Sequence, residues 1–154
     1  MIDIDVARKL KDAGLEWAPA DGDHFVIDVG ELRDEPFMLS SMVVERASGR
    51  SGLPVLRFNG TTEWALDSVE QHEALWIPRE EQLREALGEA FRSLVRGGDG
   101  VHAVRIALVA APGSGEEAER EVRAPSPEDA YAGALLVLLT HRGTAAERDS
   151  SPTG

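Results

Sequence analysis

The residues best equipped for chemistry fall in one stretch, positions 59–81. It holds Trp64 and Trp76 together with Glu63, Asp67, Glu70, His72, Glu73, Arg79 and Glu80. A carboxylate beside His72 would make a general acid–base pair. Glu63 and Asp67 could line one sheet face, each with a partner carboxylate about 5–10 Å away, the range of paired glycosidase carboxylates. Asn59 and Thr61 add hydrogen-bonding groups to the same stretch, and Trp17, Trp64 and Trp76 could together rim a ligand pocket. The plainer reading of these residues is structural. The tryptophans anchor a core, and the charges solvate the outer face of a hairpin.

Other chemistries lack their residues. The chain has no cysteine, so thiol catalysis, thiolate zinc sites and disulfides are excluded. Lysine occurs only at positions 9 and 11, and no G-x-x-x-x-G-K-[ST] loop exists to cradle a phosphate. No G-x-G-x-x-G follows a strand pattern. His24, His72, His102 and His141 include no i,i+4 pair, which a helical zinc site would need. Asp21-Gly22-Asp23 opens like a calcium loop, but Phe25 and Val26 occupy its fifth and sixth positions. No G-x-S-x-G elbow presents a serine nucleophile; Ser51 has glycines at other offsets. Asn59-Gly60-Thr61 fits a glycosylation sequon, which has no role in a cytoplasmic chain. No cofactor or metal is expected.

The 154 residues carry 28 carboxylates against 16 Lys and Arg, a net charge of −12. An acidic surface repels nucleic-acid phosphates and anionic lipid alike, so neither is an expected partner. A basic protein suits this charge, and so does simple solubility. The first residues show neither the basic start nor the apolar stretch of a signal peptide. The longest apolar run, Ala132 to Leu139, is far short of the roughly 20 residues that span a bilayer. A cytoplasmic location is the expectation.

The elements that must position these residues can be read from periodicity. A helix is predicted over 5–13, capped by Asp3 or Asp5 and ended by Gly14. Strands are predicted over 24–29, 37–44, 54–58 and 74–77. Asn59-Gly60 between extended segments predicts a type I′ hairpin. A second helix is predicted over 79–91, with Leu83, Ala86, Leu87, Ala90 and Phe91 as its apolar stripe. Strands follow at 93–96 and 101–109, the latter with Val104, Ile106 and Leu108 on its buried face. Gly97-Gly98-Asp99-Gly100 between them is similar to the signature hairpin of diguanylate cyclases, but Gly100 and Val101 stand where that motif has Glu and Phe. It reads as an ordinary turn. The acidic run 117–122 predicts an edge strand. The last helix has Ser126 as N-cap, Pro127 at its first position and Glu128 and Asp129 in its first turn. Gly143 is expected to stop it. This order predicts an α+β protein: one domain over 1–142, a largely antiparallel sheet with N-terminal, central and C-terminal helices, then a disordered polar tail over 143–154.

Three stretches also carry a resemblance. They are Phe58 to Gln71 (Phe-Asn-Gly-Thr-Thr-Glu-Trp-Ala-Leu-Asp-Ser-Val-Glu-Gln) with Leu75 to Arg84, Ala13 to Asp23, and Glu128 to Ala132. Together they resemble a family of small actinobacterial proteins whose members are sometimes labelled pilus-assembly proteins. The resemblance spans residues 1–142. It implies no activity and no catalytic residue, and the nucleotide motif of a pilus-assembly ATPase is missing here. The expectation is a non-enzymatic binding or regulatory domain. The alternative is a small-molecule hydrolase or ligand-sensing module using 59–81.

Overall fold

The β-branched and aromatic run that begins at His24 forms a strand, as its composition favours. In the structure, a computed structural model describing residues 1–27, 35–40, 44–49, 52–58, 68–110 and 115–149, that strand is β1 (His24–Ile27). The chain gathers into two units, Glu16–Pro78 and Met1–Leu15 with Arg79–Gly154.

In Glu16–Pro78, β1 is followed by β2 (Pro36–Met38), β3 (Val44–Ser48), β4 (Pro54–Phe58), β5 (Ser68–Glu70) and β6 (Ala74–Ile77). They form two antiparallel sheets, ordered β2-β1-β6 and β3-β4-β5. β1 is the central strand of its sheet. Its Phe25, Val26 and Ile27 are all buried, as suits a strand covered on both faces. Phe25 stands opposite Phe37 on one side and Trp76 on the other. Phe25, Ile27, Leu39 and Ala74 make the core here, with Trp17 and Phe37 packed on it. The strand expected over 37–44 is not continuous. Phe37 and Met38 belong to β2, Val44 opens β3, and the two strands lie in different sheets. The Asn59-Gly60 turn lies outside the described residues.

The other unit begins with α1 (Ile4–Asp12). Asp3 caps it by accepting the Asp5 amide at 2.8 Å, and Ala7 and Leu10 face inward. α2 (Glu80–Leu87) is shorter than the helix predicted over 79–91. Gly88 takes φ +52°, a left-handed conformation that ends the helix, and a single 3₁₀ turn over Gly88–Ala90 leads into β7 (Phe91–Arg96). Phe91 therefore belongs to a strand. Its ring lies 5.9 Å from that of Tyr131, with the Arg84 guanidinium 3.7 Å above its centroid.

β7, β8 (His102–Val109) and β9 (Glu117–Ala124) form an antiparallel sheet with β8 central and the acidic β9 at the edge. Val104, Ile106 and Leu108 are buried, as the alternation predicted. The Gly97–Gly100 segment is a hairpin turn. Asp99 accepts the Val101 amide at 3.1 Å, and the Gly97 amide donates to the Val101 carbonyl at 2.8 Å.

α3 (Pro127–Asp149) packs on β8, β9 and α2. Ser126 caps it, its Oγ accepting the Asp129 amide at 3.1 Å. Helix and sheet approach closely at Gly133, where a Cβ would come within 2.8 Å of a Val122 methyl. Tyr131 is buried beside Glu80. Burial first, and then that carboxylate, push its phenol above the ordinary range, with Arg84 pulling the other way.

α3 corrects one expectation. It does not stop at Gly143 but runs to Asp149, so 143–149 are helix rather than tail. The strong helix formers Ala145, Ala146, Glu147 and Arg148 carry it through the glycine. The α+β class, the antiparallel pairing and the three helices are as predicted. No helix among the described residues is long and apolar enough to cross a membrane.

Candidate functional site

Of the residues singled out in the sequence, Trp17, His72, Trp76 and Arg79 are described. Asn59, Thr61, Glu63, Trp64 and Asp67 lie outside the described residues. Trp17 and Trp76 do come together. Their rings stack with centroids 6.5 Å apart and planes 7° from parallel, and Trp17 also touches Phe25 at 5.7 Å. The stack is fixed by polar contacts. Trp17 Nε1 donates to Asp23 at 2.9 Å, and Gln71 Nε2 donates to the Trp17 carbonyl at 3.0 Å.

Asp23 is the only buried charged residue among the described ones, 1% exposed. It accepts the Ala20 amide at 2.9 Å as well as the indole, and its backbone carbonyl accepts the Leu39 amide at 2.7 Å. Its carboxylate ties the 18–23 turn to Trp17, and its backbone carbonyl ties that turn to the segment after β2. The turn was legible in Asp21-Gly22-Asp23. The indole partner was not, because it depends on where Trp17 returns to the sheet.

Trp76 Nε1 is buried without a hydrogen-bond partner among the described residues. His72 is largely exposed, with Nδ1 3.1 Å from a Glu70 carboxylate oxygen. Glu70 thus stands beside His72, which sits on a 3₁₀ turn (Gln71–Glu73) between β5 and β6. Arg79 belongs to the other unit. It precedes α2, where its guanidinium bonds Glu81 at 2.6 Å and its amide donates to Gln82 at 3.0 Å. The Arg79 guanidinium's hydrogen bond to Glu81, more than any other influence, holds the Glu81 carboxyl below its ordinary range. Arg79 is thus committed to the start of its own helix.

A cavity that sequence reasoning missed lies in the unit containing α3. Its volume is about 630 Å³. Leu138, His141, Arg142, Ala145 and Ala146 of α3 form one wall. Ala107 and Val109 of β8, Ala90 and Glu89 from the turn after α2, Arg92 of β7 and Glu117 of β9 form the rest. Much of this rim is tied internally. Arg92 bonds Glu117 at 2.8 Å and the Glu89 carbonyl at 2.6 Å, and His141 Nε2 lies 2.7 Å from the Val109 carbonyl. The groove is invisible in the sequence because a helix that stops at Gly143 leaves Ala145 and Ala146 in the tail. One signal was available: Leu138, Arg142 and Ala145 repeat at helical spacing across Gly143.

Among the described residues no group of three or more His, Asp or Glu could hold a metal ion. No family model, curated protein or solved structure matches the chain.

Proposed function

We propose that this protein is a binding domain whose acidic unit, residues 16–78, docks a basic protein. One observation carries the reading: the charge is unevenly placed. Residues 16–78 hold twelve carboxylates and four arginines, a net −8, whereas the remaining residues hold sixteen carboxylates and twelve Lys and Arg, a net −4. The smaller unit therefore contributes two-thirds of the charge of −12. In the other unit acids of β9 sit in cross-strand pairs, such as Arg105–Glu121 and Arg92–Glu117, both at 2.8 Å. In residues 16–78 there are too few cations for such pairing, which leaves a field that attracts a basic surface and speeds its approach. The residues suited to recognition, the Trp17–Trp76 pair and the His72–Glu70 pair, belong to this unit.

The test is a salt-resolved pull-down from native lysate. The immobilised chain should retain a basic protein that elutes as chloride rises. Glu16, Asp21 and Glu35 are exposed. The triple variant Glu16→Gln, Asp21→Asn, Glu35→Gln should lose that protein. The matched variant Glu85→Gln, Glu119→Gln, Glu147→Gln should keep it. Equal retention by both variants, or nothing above background, overturns the proposal.

A further inference from the structure

From the outer face of α3 and the free edge of β9 we infer that two copies of this chain pair through β9, with their α3 helices side by side. The helix lacks a wet face. Residues 130–140 of α3 include no charged side chain, and a helix apolar all round is ordinarily covered all round. Here α3 packs on α1, α2, β8 and β9, yet Gly133, Leu136 and Val137 stay partly exposed and Thr140 is exposed. Helical spacing puts these residues on one side, and the close approach of Gly133 to Val122 shows that it is the β9 side.

The strand beside that face is open as well. β9 pairs with β8 without a break from Glu117 to Ala124, and its other edge has no strand among the described residues. None of its eight residues is buried. A helix seated over both β8 and β9, strands about 4.8 Å apart, has its axis about 2.4 Å inside β9. A twofold axis through an antiparallel pair of β9 strands lies about 2.4 Å outside it. The two α3 helices then stand about 10 Å apart, a distance at which helices pack. The edge also matches itself. With Glu121 opposite its own copy, Glu119 meets Arg123 of the second copy, and symmetry makes that pair twice. Arg123 bonds Asp99 at 3.0 Å and has further donors to give. Ala118 meets Ala124, Arg120 meets Val122, and each Glu121 brings the Arg105 that it bonds at 2.8 Å. An uncharged helix face beside an edge carrying both signs fits a second copy, not the basic partner of residues 16–78.

Sedimentation equilibrium of the full chain should show a dimer that dissociates on dilution. Glu119→Arg and Arg123→Glu each set like charges opposite one another twice, and each should weaken the dimer at least about tenfold. An equimolar mixture of the two variants restores both pairs and should recover the affinity. Thr140→Arg, at an exposed position, should weaken the dimer while leaving the circular dichroism unchanged. A chain still monomeric at about 100 µM overturns the proposal. So does a dimer that Thr140→Arg leaves at full affinity, or a mixture that associates no more tightly than its components alone.

Discussion

Asp23 shows how one carboxylate can hold a local fold together. Buried charge is costly unless hydrogen bonds replace water, and here donors that include the Trp17 indole and the Ala20 amide do so. Removing the acceptor strands those donors. Asp23→Ala is expected to destabilise the protein by about 2–3 kcal/mol, and Asp23→Asn by less, because one acceptor oxygen remains. The midpoint of urea unfolding followed by circular dichroism measures the difference. A substitution at Asp21, which is exposed, should leave that midpoint nearly unchanged. At this scale the sequence told which residues form turns and caps, such as Asp3, Ser126 and Asp99. It did not tell what a side chain meets across the fold. Trp17 and Trp76 were grouped by residue type, and only the return of Trp17 to β6 makes them neighbours.

At the scale of elements, what could be read followed from what is local. The alternation in β8, the breaks around β4 and β6, and the acidic edge at β9 depend on a few consecutive residues. The errors came where a glycine had to be weighed against its surroundings. Gly88 lies in an apolar helical stripe, yet it ends α2 because its backbone turns left-handed. Gly143 looks like a helix stop, yet α3 passes through it. The missed cavity follows from that second error, since the added turns build one of its walls. A direct check is Gly143→Ala. Nothing lies within 4 Å of the position where its Cβ would stand. Alanine should therefore stabilise by roughly 0.5–1 kcal/mol, read from the thermal midpoint. Were Gly143 a left-handed cap instead, the same substitution would destabilise.

For the molecule as a whole, the uneven charge has consequences for stability as well as for partners. A unit with twelve carboxylates and four arginines repels itself, and salt relieves this. Between about 0.01 M and 0.15 M salt the screening length falls from about 30 to 8 Å. Native-state hydrogen exchange should show protection of β1 and β6 amides rising over that interval, with a smaller change in β8. Equal changes in both would show that repulsion is not concentrated in residues 16–78. The stacked indoles have one more consequence. All three tryptophans lie in residues 16–78, and the chain's one tyrosine lies in the other unit. Two indoles stacked with centroids 6.5 Å apart couple their electronic transitions, and that coupling is lost when they separate. The chain thus carries its own pair of optical labels, indole for one unit and phenol for the other, and the unfolding of each can be watched at its own wavelength.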